Sequence, residues 1–85
     1  MKEFSYTIKD KVGIHARPAG LLVKEASKYN SEITIETDKR IADAKKLFSV
    51  MGLVAKTGDV VKITISGNDE VDADKGMKDF FENNL

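Results

Sequence analysis

Hydrophobic residues in this chain recur with a period of two in four short stretches and with a period near 3.6 in three others, all within 85 residues. Strands repeat every two residues and helices every 3.6, so the two element types must interleave. Such a chain cannot be a helical bundle or an all-strand sandwich, and its helices and strands have to form separate packed layers.

The first alternating stretch is Phe4, Tyr6 and Ile8 among polar neighbours, the pattern of a half-buried strand. From Ala16 to about Tyr29 the apolar positions Ala19, Leu22, Val23 and Ala26 follow helical spacing, and Asn30-Ser31 closes that helix. Glu32 to Thr37 alternates again, with Ile33 and Ile35 inward; a turn at Asp38-Lys39 then predicts a short strand over Arg40 to Asp43 with Ile41 inward. Lys45 to Ala55 reads as a second helix in which Val50, Leu53 and Val54 face the core, and Thr57-Gly58-Asp59 breaks it. Val60 to Ser66 carries the strongest strand pattern, with Val61, Ile63 and Ile65 on one face. The last helix opens at Asn68, a candidate cap, with Asp69, Glu70 and Asp72 in its first turn and Ala73, Met77, Phe80 and Phe81 as its apolar stripe. Gly76 in its middle costs about 1 kcal/mol of helix propensity, so docking of the phenylalanines must hold it.

These elements predict an α+β fold of order βαββαβα in one domain, residues 1–85: a mostly antiparallel sheet with all three helices on one face. The other face is left to water, which suits Glu32, Thr34, Glu36, Lys62, Thr64 and Ser66. A chain this short has one thin core and no deep cavity. Without Cys there is no disulfide framework, and with a single His there is no ligand set for zinc, so no metal or other cofactor is expected. The opening Met1-Lys2-Glu3-Phe4-Ser5 lacks the apolar core of a secretion signal, and the most apolar run, Leu47 to Ala55, is too short to span a bilayer; both favour a cytoplasmic protein. Fourteen basic residues balance fourteen acidic ones, which argues against nucleic acid as a partner. The charges are unevenly spread, however, and a mildly basic face around Arg17, Lys24, Lys28, Lys45 and Lys46 suits an acidic protein.

The one histidine, His15, stands in Gly13-Ile14-His15-Ala16-Arg17-Pro18-Ala19, directly before the first turn of the first helix. With His15 as cap, Pro18 falls where its missing N–H has no intrahelical role, and the N–H groups of Ala16, Arg17 and Ala19 are expected to be free to hold an anion. Histidine is a poor cap compared with Ser, Thr, Asp or Asn, so a locally broken rule points to function. A neutral imidazole offers one ring nitrogen as a nucleophile toward phosphorus, and Arg17, two residues on, offers a planar pair of donors to the phosphoryl oxygens. A plain surface histidine is the structural alternative, and no nucleophile elbow supports a serine triad.

On the first helix Arg17, Gly20, Leu21, Lys24 and Ser27 form a stripe away from the core. Leu47, Phe48 and Met51 form a second apolar face on the short helix, which either meets a partner or is absorbed by the small core.

The seven residues from Gly13 to Ala19, together with the length and element order, resemble the HPr family, the histidine-containing phosphocarriers of the bacterial phosphoenolpyruvate-dependent sugar phosphotransferase system. The resemblance implies an open-faced sandwich of four antiparallel strands covered by three helices. It implies that enzyme I passes a phosphoryl group to the δ1 nitrogen of His15, that Arg17 stabilises it, and that His15 hands it on to A domains of sugar-specific enzyme II permeases. The carrier is itself transiently phosphorylated, acts as a monomer and turns over no substrate of its own. The docking surface of the family maps onto Ala16, Gly20, Leu21, Lys24, Leu47, Phe48 and Met51, with Lys46 beside them. A regulatory or nitrogen-branch relative is the alternative. Many members carry a kinase-regulated serine just before the second helix, where this chain has Lys46. Lysine cannot accept that modification, which implies a carrier without it.

Overall fold

The computed structural model describes residues 1–85 as four strands and three helices. The strands are β1 (Lys2–Thr7), β2 (Glu32–Glu36), β3 (Ile41–Asp43) and β4 (Val60–Ser66), and they form one antiparallel sheet in the order β1-β4-β2-β3. Helices α1 (Ala16–Ala26), α2 (Leu47–Met51) and α3 (Glu70–Asn84) cover one face of it. Alternation decides which face: Ile33, Ile35, Val61, Ile63 and Ile65 are all buried, while Glu32, Glu36, Lys62 and Ser66 stay exposed on the other side. Ala19, Leu22 and Ala26 of α1 and Ala73, Met77 and Phe81 of α3 close the core from above. Phe81 sits at its centre, edge-on to Phe4, Tyr6 and Phe80 at centroid distances of 6.0, 5.5 and 6.1 Å, a geometry that places positive ring edges against negative faces.

Several elements differ from the sequence expectation, each for a local reason. In β3 the inward residue is Ala42, and Ile41 is 66% exposed. Ala42 pairs with buried Ile35 whereas Ile41 pairs with exposed Glu36, and paired residues share a face. Helix α1 stops at Ala26 with Ser27 as its C-cap, so Tyr29 lies beyond it. Only Leu47–Met51 of the predicted second helix is helical; Gly52 caps it and Val54 turns outward with φ +53°, leaving Val50 and Leu53 but not Val54 in the core. The cap of α3 is Asp69 rather than Asn68. Gly76 has a packing reason for its place, since a Cβ there would overlap the Tyr29 hydroxyl.

Candidate functional site

His15 is the N-cap of α1, with extended backbone (φ −111°, ψ −173°) and a side chain that makes no capping hydrogen bond. Its carbonyl accepts the first intrahelical bond, from the Ala19 N–H at 2.9 Å. This corrects one expectation: Ala19 is fully buried and its N–H is used, so Ala16 and Arg17 alone supply free donors at this helix end, Pro18 having none. Pro18 and Ala19 instead anchor the first turn in the core.

The loop that delivers His15 is held from below. Ile8 N–H donates to Asp59 C=O and Gly58 N–H to Ile8 C=O; Ile14 N–H donates to Ala55 C=O at 2.9 Å. Gly13 takes φ +83°, and a Cβ there would overlap the Ala55 carbonyl, so glycine is needed for both conformation and approach. It is buried and serves to seat the loop.

The imidazole is 41% exposed, and its Nε2 lies 3.7 Å from Oδ2 of Asp10. That oxygen accepts from the N–H groups of Val12 (3.0 Å) and Gly13 (3.1 Å), the geometry of an Asx-turn. Sequence reasoning passed over Asp10; the Asp-x-x-Gly spacing before His15 was its only signal. Arg17 is exposed and forms no ion pair. It borders a shallow depression of about 220 Å³ together with Asp10, Pro18, Leu21, Asn83 and Asn84, the last two from the end of α3. Two larger depressions, about 390 Å³ each, lie along β3 and around the β2–β3 turn, and neither includes His15. His15 lines none of the three; the smaller one is set apart by holding Arg17, a cation without an ion pair, and Asp10, whose carboxylate lies 3.7 Å from Nε2 of His15.

Leu21, Leu47 and Phe48 are 42%, 38% and 83% exposed, and Met51 is half-buried. The core therefore does not absorb this face. Helix α2 packs on α1, so these residues, with exposed Ala16, Gly20, Lys24 and Lys46, share the helical layer. The predicted basic face is smaller than expected. Lys45 Nζ donates to the Tyr29 carbonyl at 2.6 Å and Lys28 pairs with Glu25 at 3.0 Å, because both satisfy groups around the C-terminal end of α1. Arg17, Lys24 and Lys46 remain. Lys46 is the N-cap of α2, and the nearby Ser49 hydroxyl accepts the Asp43 N–H at 2.9 Å.

A family defined as the "PTS HPr component phosphorylation site" matches residues 2–83. The chain belongs to the HPr family. Its role is that of a phosphocarrier of the phosphotransferase system. Phosphocarrier protein HPr of Mycoplasma capricolum is 45% identical over 78 residues, which span 92% of this chain and 88% of that one. A solved histidine-containing phosphocarrier protein of a mycoplasma has TM-score 0.93 and 41% identity over 96% of this chain and 93% of its own. HPr of Thermoanaerobacter tengcongensis has TM-score 0.92 and 43% identity, covering 99% and 94%; a dimer of HPr from that organism has TM-score 0.77. These likenesses agree with the open-faced HPr sandwich described above.

Proposed function

We propose that His15 is the residue that carries phosphate in this chain, taking it from phospho-enzyme I and passing it to enzyme IIA domains of sugar permeases. The carrying observation is the half-exposed imidazole at the start of α1, flanked by two unused helix N–H groups and an unpaired Arg17. A carrier must enter the active centre of its donor and then that of its acceptor, so its nucleophile has to stand at the surface rather than in a cleft. Nδ1 attacks phosphorus and the donor's bond to phosphorus breaks, its electron pair returning to the donor; delivery is the same step in reverse onto the next protein. Arg17 and the Ala16 and Arg17 N–H groups place positive charge where the phosphoryl oxygens come to rest. Leu21, Leu47, Phe48 and Met51 form the apolar centre of the docking face, with Gly20, Lys24 and Lys46 around it.

The whole of residues 1–85 acts as one domain, and the unit that acts is a single protomer, since nucleophile, cation and docking face all lie on one chain. It works in the cytoplasm, needs no cofactor and is consumed and regenerated as a phosphorylated protein rather than acting as an enzyme. No helix is long and apolar enough to cross a membrane. Incubation with phosphoenolpyruvate and enzyme I, read by intact mass, tests the reading. One acid-labile phosphoryl group is expected on the wild-type chain and none on His15→Ala. Labelling that survives in His15→Ala, or no labelling of either, defeats it.

A further inference from the structure

Asp10 is held more firmly than a loop carboxylate ordinarily is. Its N–H donates to the Leu85 carbonyl at 2.7 Å, its own carbonyl accepts from Gly13 N–H at 3.1 Å and from the Thr57 hydroxyl, and its Oδ2 accepts from Val12 and Gly13. The side chain is thus fixed before it meets His15, and the entropy loss that makes exposed ion pairs weak has already been incurred by the turn. The fixed carboxylate faces Nε2 of His15 and no other cation.

We propose that Asp10 is the positioning residue of the carrier, keeping the proton of His15 on Nε2 so that Nδ1 presents its lone pair. The inference rests on the reading of His15 as phosphoryl acceptor and extends it to the other side of the ring. A carboxylate near one ring nitrogen favours the tautomer protonated there, as second-layer carboxylates do for metal-bound imidazoles. The charge cycle gives Asp10 a further task. When Nδ1 bonds to phosphorus the ring becomes cationic while the proton stays on Nε2, beside Asp10. When phosphorus leaves, the bonding pair returns to Nδ1 and the ring is neutral again. No proton is exchanged with solvent in either direction, so a fixed anion beside Nε2 stabilises the phosphorylated ring without taking part in the bond changes.

A carboxylate near an incoming phosphoryl group also repels it, and that effect has the opposite sign. Asp10 faces Nε2, across the ring from Nδ1, and Arg17 borders the same depression as Asp10, so the repulsion falls on a group already flanked by a cation. If repulsion ruled, removing the charge of Asp10 would speed phosphoryl acceptance.

Asp10→Asn separates these outcomes, because its amide oxygen still accepts the Val12 and Gly13 N–H groups while the charge is gone. Two-bond ¹H–¹⁵N spectra of the neutral imidazole should show the Nε2–H form in the wild-type chain and a shift toward Nδ1–H in Asp10→Asn. Phosphoryl acceptance from phospho-enzyme I should slow by about three- to tenfold, less than for a carboxylate in direct hydrogen bond with a metal-bound histidine. Asp10→Ala should show the same tautomer shift with an added fall in melting temperature from loss of the turn. An unchanged tautomer in Asp10→Asn, or acceptance as fast as wild type or faster, overturns the proposal. A wild-type chain that takes no phosphate defeats the carrier reading instead, and the tautomer comparison then still decides what Asp10 does.

Discussion

Val54 is the one non-glycine residue with positive φ, at +53°, and it is β-branched. Left-handed backbone costs such a residue about 1–2 kcal/mol, because Cβ approaches the following carbonyl. Its side chain is 54% exposed and recovers little of this by burial. The turn has a use: it ends the α2 segment and brings Ala55 under Gly13, where the Ala55 carbonyl receives Ile14 N–H and seats the His15 loop. Val54→Gly removes the strain but adds freedom to the unfolded chain, worth about 0.5–1 kcal/mol the other way. The balance is a net gain centred on about 0.75 kcal/mol, or roughly 3–6 °C in melting temperature for a domain of this size. Calorimetry that finds Val54→Gly less stable than wild type would show that the φ of Val54 is not strained. Nothing in the sequence around Val54 marked this turn, since valine reads as a core residue at helical spacing and only the chain path reveals the cost.

At the scale of elements, Asp69 joins parts of the chain that lie far apart in sequence. It occupies the N-cap of α3, yet its carboxylate turns away from its own helix and accepts from the Ser31 hydroxyl and from the Asn30 and Ser31 N–H groups, which lead into β2. The Ser31 hydroxyl first, then the Asn30 N–H, hold the Asp69 carboxyl below its usual 3.8. A carboxyl whose folded value is depressed stabilises the fold above its unfolded pKa and loses that contribution as pH falls through the folded one. Asp69→Asn should therefore melt lower than wild type at pH 7, and the gap should close as pH is taken below about 4 toward the folded value. Thermal melts across that range check it, and a gap of constant size at all pH would rule the linkage out. Element types were legible where apolar periodicity ran over several turns or pairs, as in α1, β4 and α3. The inward residue of β3 was not, because Ile41 and Ala42 are adjacent apolar residues in a three-residue strand and only pairing with Ile35 chooses between them. The cap of α3 was missed for a similar reason: Asn68 and Asp69 are both good caps, and the choice follows from Ser31, 38 residues away.

For the whole molecule, the site was legible to the extent that it is local. His15, Ala16, Arg17 and Pro18 lie within one helix start, so their spacing alone brings them together. Asn83 and Asn84 reach the depression from the far end of the chain, and Asp10 comes beside His15 only because the loop folds back, for which Asp-x-x-Gly is a faint signal. The sandwich also exposes large apolar side chains on opposite faces, Phe48 at 83% on the helical layer and Ile41 at 66% on the open sheet. Sequence composition treats the two alike, and the architecture separates them. Phe48 shares its layer with Leu21, Leu47 and the remaining cations Lys24 and Lys46, whereas Ile41 lies beside Glu32, Thr34 and Asp43. On the proposed function a partner that takes phosphate from His15 approaches the helical layer, and it should bury Phe48 and leave Ile41 in water. Both Phe48→Ala and Ile41→Ala should change folding stability by no more than about 0.5 kcal/mol, since neither side chain is in the core. Phe48→Ala should weaken binding to enzyme I by about 1.4–2.8 kcal/mol, roughly tenfold to a hundredfold in Kd, as a central aromatic does. Ile41→Ala should leave that Kd unchanged. Titration calorimetry with enzyme I gives both values. Equal losses would place the partner on neither face in particular, and a loss confined to Ile41→Ala would move the docking surface to the sheet, where no nucleophile could meet it.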